Sequence, residues 1–142
     1  EEIRIGELSI RFLIEGDESS GSVALFEFTV PARARVPIPH SHDGYEETVY
    51  GLEGALIWTV EGERREVGPG EALCIRRGDV HHFENEGEAD ARVLAAVTPG
   101  VLGPAYFREL AALVDEAVTA GRPPDPARIG EVMVRHGLTP AP

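Results

Sequence analysis

A chain of 142 residues has the length of one domain, long enough to bury a real core and too short for two independent ones. Its 42% hydrophobic and 27% charged residues are those of an ordinary globular protein, without low-complexity tracts or a long repeat. Thirteen Lys and Arg against 25 Asp and Glu give a formal charge of -12, a field that repels phosphate backbones and anionic membranes, so nucleic-acid and membrane partners are disfavoured.

From Ile3 to Val97 short apolar or alternating runs are punctuated by Gly, Pro and acidic turns, the pattern of an all-β antiparallel sandwich or barrel. Strands are expected over Glu7 to Ile14 and Ser22 to Val30; in the second, Ala24, Phe26, Phe28 and Val30 recur with period two and give one apolar face. The stretch Pro31 to Pro39 carries three prolines, which rules out a central strand and predicts an extended edge or loop. Further strands are expected over Glu46 to Leu52, Ala55 to Val60, Arg64 to Val67, Ala72 to Ile75, His81 to Glu84 and Ala91 to Thr98. Hairpin corners fall at Glu61-Gly62-Glu63, Gly68-Pro69-Gly70 and Arg77-Gly78-Asp79. Cys74, between Leu73 and Ile75, reads as a small buried hydrophobe. As the only cysteine it excludes an intrachain disulfide, and a cytoplasmic setting is expected.

After Thr98 the period changes. Gly103-Pro104 opens a helix with Phe107, Leu110, Val114 and Ala117 on one stripe, and Gly121 ends it. Asp125 as N-cap and Pro126 as first helical residue open a shorter one, with Ile129, Val132, Met133 and His136 on a stripe and Gly137 as stop. Tyr106 and Met133 read as packing residues, and His136 as a cation favoured by the helix C-terminus. The expected organisation is a β domain over residues 1–100 and a helical extension over 101–142, covering the barrel or a partner subunit.

Four side chains between these elements form a complete set of first-row metal ligands: His40, His42, Glu47 and His81. Residues two apart on a strand share a face, so His40 and His42 can approach one ion together. Imidazole suits Zn, Fe, Ni, Mn, Co or Cu, and a carboxylate partly neutralises a divalent cation. Alternation places Glu47 inward with Val49 and Gly51, though only modestly against Glu46, because Tyr50 is then expelled. It separates the second pair more cleanly: His81 shares a face with Phe83 and Asn85, whereas His82 falls with Glu84 and Glu86 on a solvated face.

These residues resemble the two motifs of the cupin superfamily, in particular its small single-domain members. In the first motif His40, His42, Glu47 and Gly54 fit, and counting six residues back from Gly54 selects Glu47 over Glu46. In the second Gly70, Gly78, His81 and Asn85 fit. Ala34 stands where a leading glycine is usual and Arg76 where a proline is, and no ligand position is lost. The resemblance implies a double-stranded β-helix, or jelly-roll barrel, holding one divalent transition metal ion near its interior, followed here by two C-terminal α-helices. The quercetin-dioxygenase-like group is the nearest general likeness, which implies a metal-dependent oxidoreductase acting on a small enolic or phenolic substrate, with Glu47 as ligand and general base. An isomerase or lyase using the ion as a Lewis acid, or a binding module without catalysis, are the alternatives. A homodimer is expected. Phe83 and Tyr45 read as core rather than pocket, and Arg76, Arg77 and Arg92 as solvated surface.

Overall fold

The computed structural model describes residues 1–141, with residues 35–37 described by their backbone alone. Among the described residues eleven strands and two α-helices, with a 3-10 turn at Gly16–Ser19, follow in order: β1 Glu2–Ile5, β2 Leu8–Ile14, β3 Ala24–Val30, β4 Arg35–His42, β5 Glu46–Glu53, β6 Leu56–Val60, β7 Glu63–Val67, β8 Ala72–Ile75, β9 His81–Glu84, β10 Ala91–Thr98, α1 Pro104–Ala120, α2 Pro126–Arg135 and β11 Leu138–Pro140. The strands form two antiparallel sheets, one ordered β1-β2-β3-β10-β5-β8 and the other β11-β4-β9-β6-β7. This is the jelly-roll arrangement the motifs implied.

Alternation explains why the core lies between the sheets. Along β3 every second residue is buried, with Phe26 and Phe28 pointing inward, and β10 repeats the pattern with Ala91, Val93, Ala95 and Val97. The opposite sheet contributes Leu56, Trp58 and Val67. Phe28 and Phe83 meet across the gap with ring centroids 5.2 Å apart, and Trp58 closes on Phe83 at 4.7 Å.

The segment around Pro31 to Pro39 departs from expectation. It contributes most of β4, which lies inside its sheet with β11 on one side and β9 on the other. Prolines are accommodated because the β4–β9 register shifts between Val36 and His40, where no regular ladder is asked of Pro37 and Pro39. Pro39 supplies only what it has, its carbonyl, which accepts from the Ala141 N–H at 2.9 Å. Cys74 departs as well: Leu73 and Ile75 point inward, so strand alternation turns Cys74 outward, where it is exposed.

The helices begin and end where their caps predict. Gly103 precedes Pro104 in extended conformation, and Gly121 closes α1 in the left-handed region. The Asp125 carboxylate accepts from the Ala127 N–H at 2.9 Å. α1 packs along β1 and sends Phe107 against Phe12 and Phe26 at 5.8 and 5.4 Å, while α2 packs on α1 and β11. β11 then returns the chain beside β4, pairing Leu138 with His42 and Pro140 with His40.

Candidate metal centre

Three strands from both sheets converge on one point. β4 brings His40 and His42, β5 brings Glu47, and β9 brings His81. Along β5 Val49 is fully buried and Tyr50 exposed, so the odd-numbered residues face inward and Glu47 goes with them. Glu46 points outward and holds the Arg77 guanidinium at 2.7 Å. On β9 the buried neighbour is His81. His82 is only partly buried and lies outside the cluster, paired in register with Thr59.

Ligand-capable atoms of His42, Glu47 and His81 lie within 4.8 Å of one another. His42 Nε2 is 3.4 Å and His81 Nε2 is 3.8 Å from Glu47 Oε1. His40 stands just outside this group, its ring centroid 4.6 Å from that of His81 and 6.2 Å from that of His42.

The tautomers follow from the outer contacts. Nδ1 of His40 lies 2.9 Å from the Ile38 carbonyl, Nδ1 of His42 3.1 Å from the Tyr45 carbonyl, and Nδ1 of His81 2.9 Å from the Asp79 carbonyl. A carbonyl only accepts, so each Nδ1 carries the proton and each Nε2 is left with a bare lone pair. The rings are locked in the orientation that metal-ligating histidines need. The close approach of His42 Nε2 to Glu47 Oε1 is then a meeting of two lone pairs rather than a hydrogen bond. His42 Nε2 is accordingly buried without a hydrogen-bond partner among the described residues.

Such a cluster calls for a cation. Two ligands about 2.1 Å from an ion at a tetrahedral angle stand about 3.4 Å apart, close to the separations seen here. The residues present therefore fit a divalent transition ion, and His42, Glu47 and His81 form a group able to hold one. The titration behaviour agrees. Burial, then the nearby His81, lowers His40 to about 4, and burial lowers His81 in spite of Glu47, so both are neutral near pH 7. Burial would raise the Glu47 carboxyl, and His42, His81 and His40, when they carry protons, pull it down; the net direction is down.

Turns beside the cluster hold it in place. The Gly78 N–H donates to the His42 carbonyl at 3.0 Å, tying the β8–β9 corner to β4. Arg76, in the unusual proline position, is exposed, and its carbonyl accepts from the Asp79 N–H at 3.1 Å. Asn85 is structural: its amide donates to the Val30 and Ala89 carbonyls and accepts from the Gly87 N–H.

The cluster opens on a cavity of about 130 Å³. Its floor holds His40, Glu47 and His81, and its wall is the aromatic set Phe26, Phe28, Trp58 and Phe83. Tyr45, stacked on His42 at 4.1 Å, also faces it, so Tyr45 and Phe83 serve core and cavity at once. The roof was not visible in the sequence pattern. Leu102, Tyr106, Phe107 and Leu110 come from α1 and the segment before it, and Leu138 from β11. Tyr106 lies beside the predicted stripe of α1, and its one sequence signal was being a polar-tipped aromatic in the first turn of an amphipathic helix.

A family model described as the cupin domain matches residues 26–97. The tetracenomycin polyketide synthase protein TcmJ of Streptomyces glaucescens is 37% identical over 60 residues, 42% of this chain and 40% of that protein. The quercetin 2,3-dioxygenase of Bacillus subtilis (strain 168) is 27% identical over 73 residues, 51% of this chain and 21% of that protein. The match thus spans less than half the length of either curated relative. Among solved structures, the polyketide cyclase RemF from Streptomyces resistomycificus superposes with a TM-score of 0.57 at 31% identity, covering 69% of this chain and 74% of that one.

Proposed function

Because the chain belongs to the cupin-domain family, we propose that it is a divalent-metal-dependent enzyme acting on a small, apolar, enolisable or phenolic substrate, of the ring-closing kind named for its polyketide cyclase relative. The observation that carries this reading is the cluster of bare Nε2 atoms and carboxylate oxygen, of which Glu47 and His81, with His40 beside them, line an aromatic-walled cavity. In this reading His40 joins His42, Glu47 and His81 as fourth ligand, reached from the same strand as His42. A bound ion would act as a Lewis acid on a substrate oxygen, making the neighbouring C–H or O–H more acidic.

The chain's own residues do the rest. The phenyl and indole faces of Phe28, Phe83 and Trp58 exclude water and align a flat substrate. Glu47 stays ionised and can accept a proton, with the acidity of the substrate rather than an elevated carboxyl pKa making the transfer feasible. Size restricts the substrate. A cavity of about 130 Å³ is comparable to the engineered one of roughly 150 Å³ that takes up benzene, so one ring, or the reacting end of a longer chain, fits at a time.

A second reading, oxygenolytic cleavage, is favoured by the similarity to the quercetin dioxygenase. Elemental analysis followed by turnover of a polyketone and flavonol panel, with and without dioxygen, separates the two. Cyclisation predicts a bound divalent ion and undiminished anaerobic turnover that chelation abolishes. Product formation only with stoichiometric oxygen uptake transfers the assignment to the dioxygenase reading, and protein that binds no metal sinks both. A cytoplasmic homodimer is part of the proposal, checked by light scattering of the purified protein. So is the division into a barrel over 1–100 and a helical extension over 101–142 that roofs its cavity.

A further inference from the structure

Among the apolar walls of the cavity two phenols stand out, Tyr45 on the floor and Tyr106 in the roof, 2% and 5% exposed. Among the described residues neither hydroxyl has a protein hydrogen-bond partner, neither is one of the sealed, unpartnered polar atoms, and both residues line the cavity. A hydroxyl on a largely buried ring, with no protein acceptor and an otherwise apolar pocket beside it, is free to donate to a ligand atom. Tyr106 is also held firmly. Its ring packs on Phe107 at 5.0 Å and lies 5.4 Å from that of His136, whose Nε2 contacts the carboxylate of Glu109 on the helix of Tyr106. Burial, and after it the Glu47 charge, raises the Tyr106 phenol, so it remains a protonated donor at any working pH.

We infer that Tyr106, supplied by α1 outside the segment matched by the family model, donates a hydrogen bond to a second oxygen of the substrate while the first lies at the His42–Glu47–His81 cluster. This rests on the proposed function and narrows it. The substrate carries at least two oxygens, one of them a hydrogen-bond acceptor such as a ketone, on a ring-sized apolar frame; polyketones and hydroxyaryl ketones qualify and hydrocarbons do not. The family match ends at residue 97, so the feature that selects the substrate is carried by this chain's own C-terminal helix.

The test uses metal-free protein at about pH 8, where imidazoles are neutral, and two probes of nearly equal shape, acetophenone and α-methylstyrene. A ketone only accepts, and the imidazole Nδ1 protons are already engaged, so a preference for acetophenone reports the two phenols or the unpartnered Trp58 indole N–H, and the tyrosine variants separate them. NMR titration should show acetophenone binding about threefold to tenfold more tightly, with its carbonyl stretch moved to lower frequency. Tyr106→Phe, which keeps the ring and its packing, should abolish both the preference and the shift while leaving the bound metal of the loaded protein unchanged. The inference is overturned if wild-type protein shows no preference, if Tyr106→Phe retains it, or if only Tyr45→Phe removes it. The metal and turnover assays fail independently: a lost preference in Tyr106→Phe beside absent cyclisation would sink the proposed reaction and leave the Tyr106 contact standing.

Discussion

Each histidine at the cluster has one nitrogen spoken for by a backbone carbonyl and one aimed at the common centre. Exchanging such a residue for Ala removes a ligand and also the orientation its outer hydrogen bond supplied. His42→Ala and His81→Ala should each weaken binding of a divalent ion by about 100-fold or more, read by elemental analysis after dialysis and by calorimetric titration. His82→Ala should leave the stoichiometry unchanged, because its side chain stands on the other face of β9. Equal metal loss from His82→Ala would dismantle the ligand assignment. Adjacent residues on a strand cannot share a face, and that alternation separated His81 from His82 cleanly; it favoured Glu47 over Glu46 only modestly, and the six-residue count back from Gly54 in the family motif made that choice. The same rule, applied to Leu73-Cys74-Ile75, turns Cys74 outward; its apolar neighbours obscured this. Tyr106 was missed for a different reason. A helix stripe is wide enough that its margin faces a cavity as readily as a neighbour, and only the position of the helix distinguishes them.

At the scale of elements, the motif glycines and the returning C-terminal strand position the ligands. Gly54 sits at φ +63°, and a Cβ there would come within 2.5 Å of the Asp90 carbonyl oxygen. Gly54→Ala should therefore cost about 2 kcal/mol or more, seen as a lower urea midpoint; an unchanged midpoint would show that the β5–β6 corner relaxes freely. β11 pairs with the ligand segment of β4, and its Leu138 is buried in the roof of the cavity. Leu138→Ala should destabilise the fold by about 2 to 4 kcal/mol and loosen the cavity's roof, so the denaturation midpoint and probe affinity should fall together. The eight strands with apolar alternation or clear turn boundaries were legible in the sequence to within a residue or two. β1, β4 and β11 were not. Each draws its order from a partner strand rather than its own periodicity: β4 is masked by prolines that occupy a register shift, and β11 has only three residues in which to show a pattern.

Across the whole molecule, fold stability and the metal site are linked through protons. His40 is buried neutral with its pKa lowered to about 4, against an ordinary value near 6.5. Above about pH 6.5 it is neutral whether the chain is folded or not, and its contribution is fully present. Between about 6.5 and 4 the unfolded chain takes up a proton that the folded chain refuses, so stability falls as pH falls; below about 4 both states are protonated and the loss levels off. The lowered pKa of His81 acts in the same direction. Metal-free protein should thus lose up to about 3 kcal/mol from His40 alone across this window, measured by urea denaturation at stepped pH. A bound ion steepens the dependence, since protonation and coordination compete for the same Nε2 lone pairs. At an ion concentration about 1,000 times its dissociation constant, metal-loaded protein should be more stable near pH 7 by about 4 kcal/mol. That advantage should vanish as acid releases the ion. If metal-free and metal-loaded curves instead ran parallel down to about pH 4, the histidines would not be the groups that hold it.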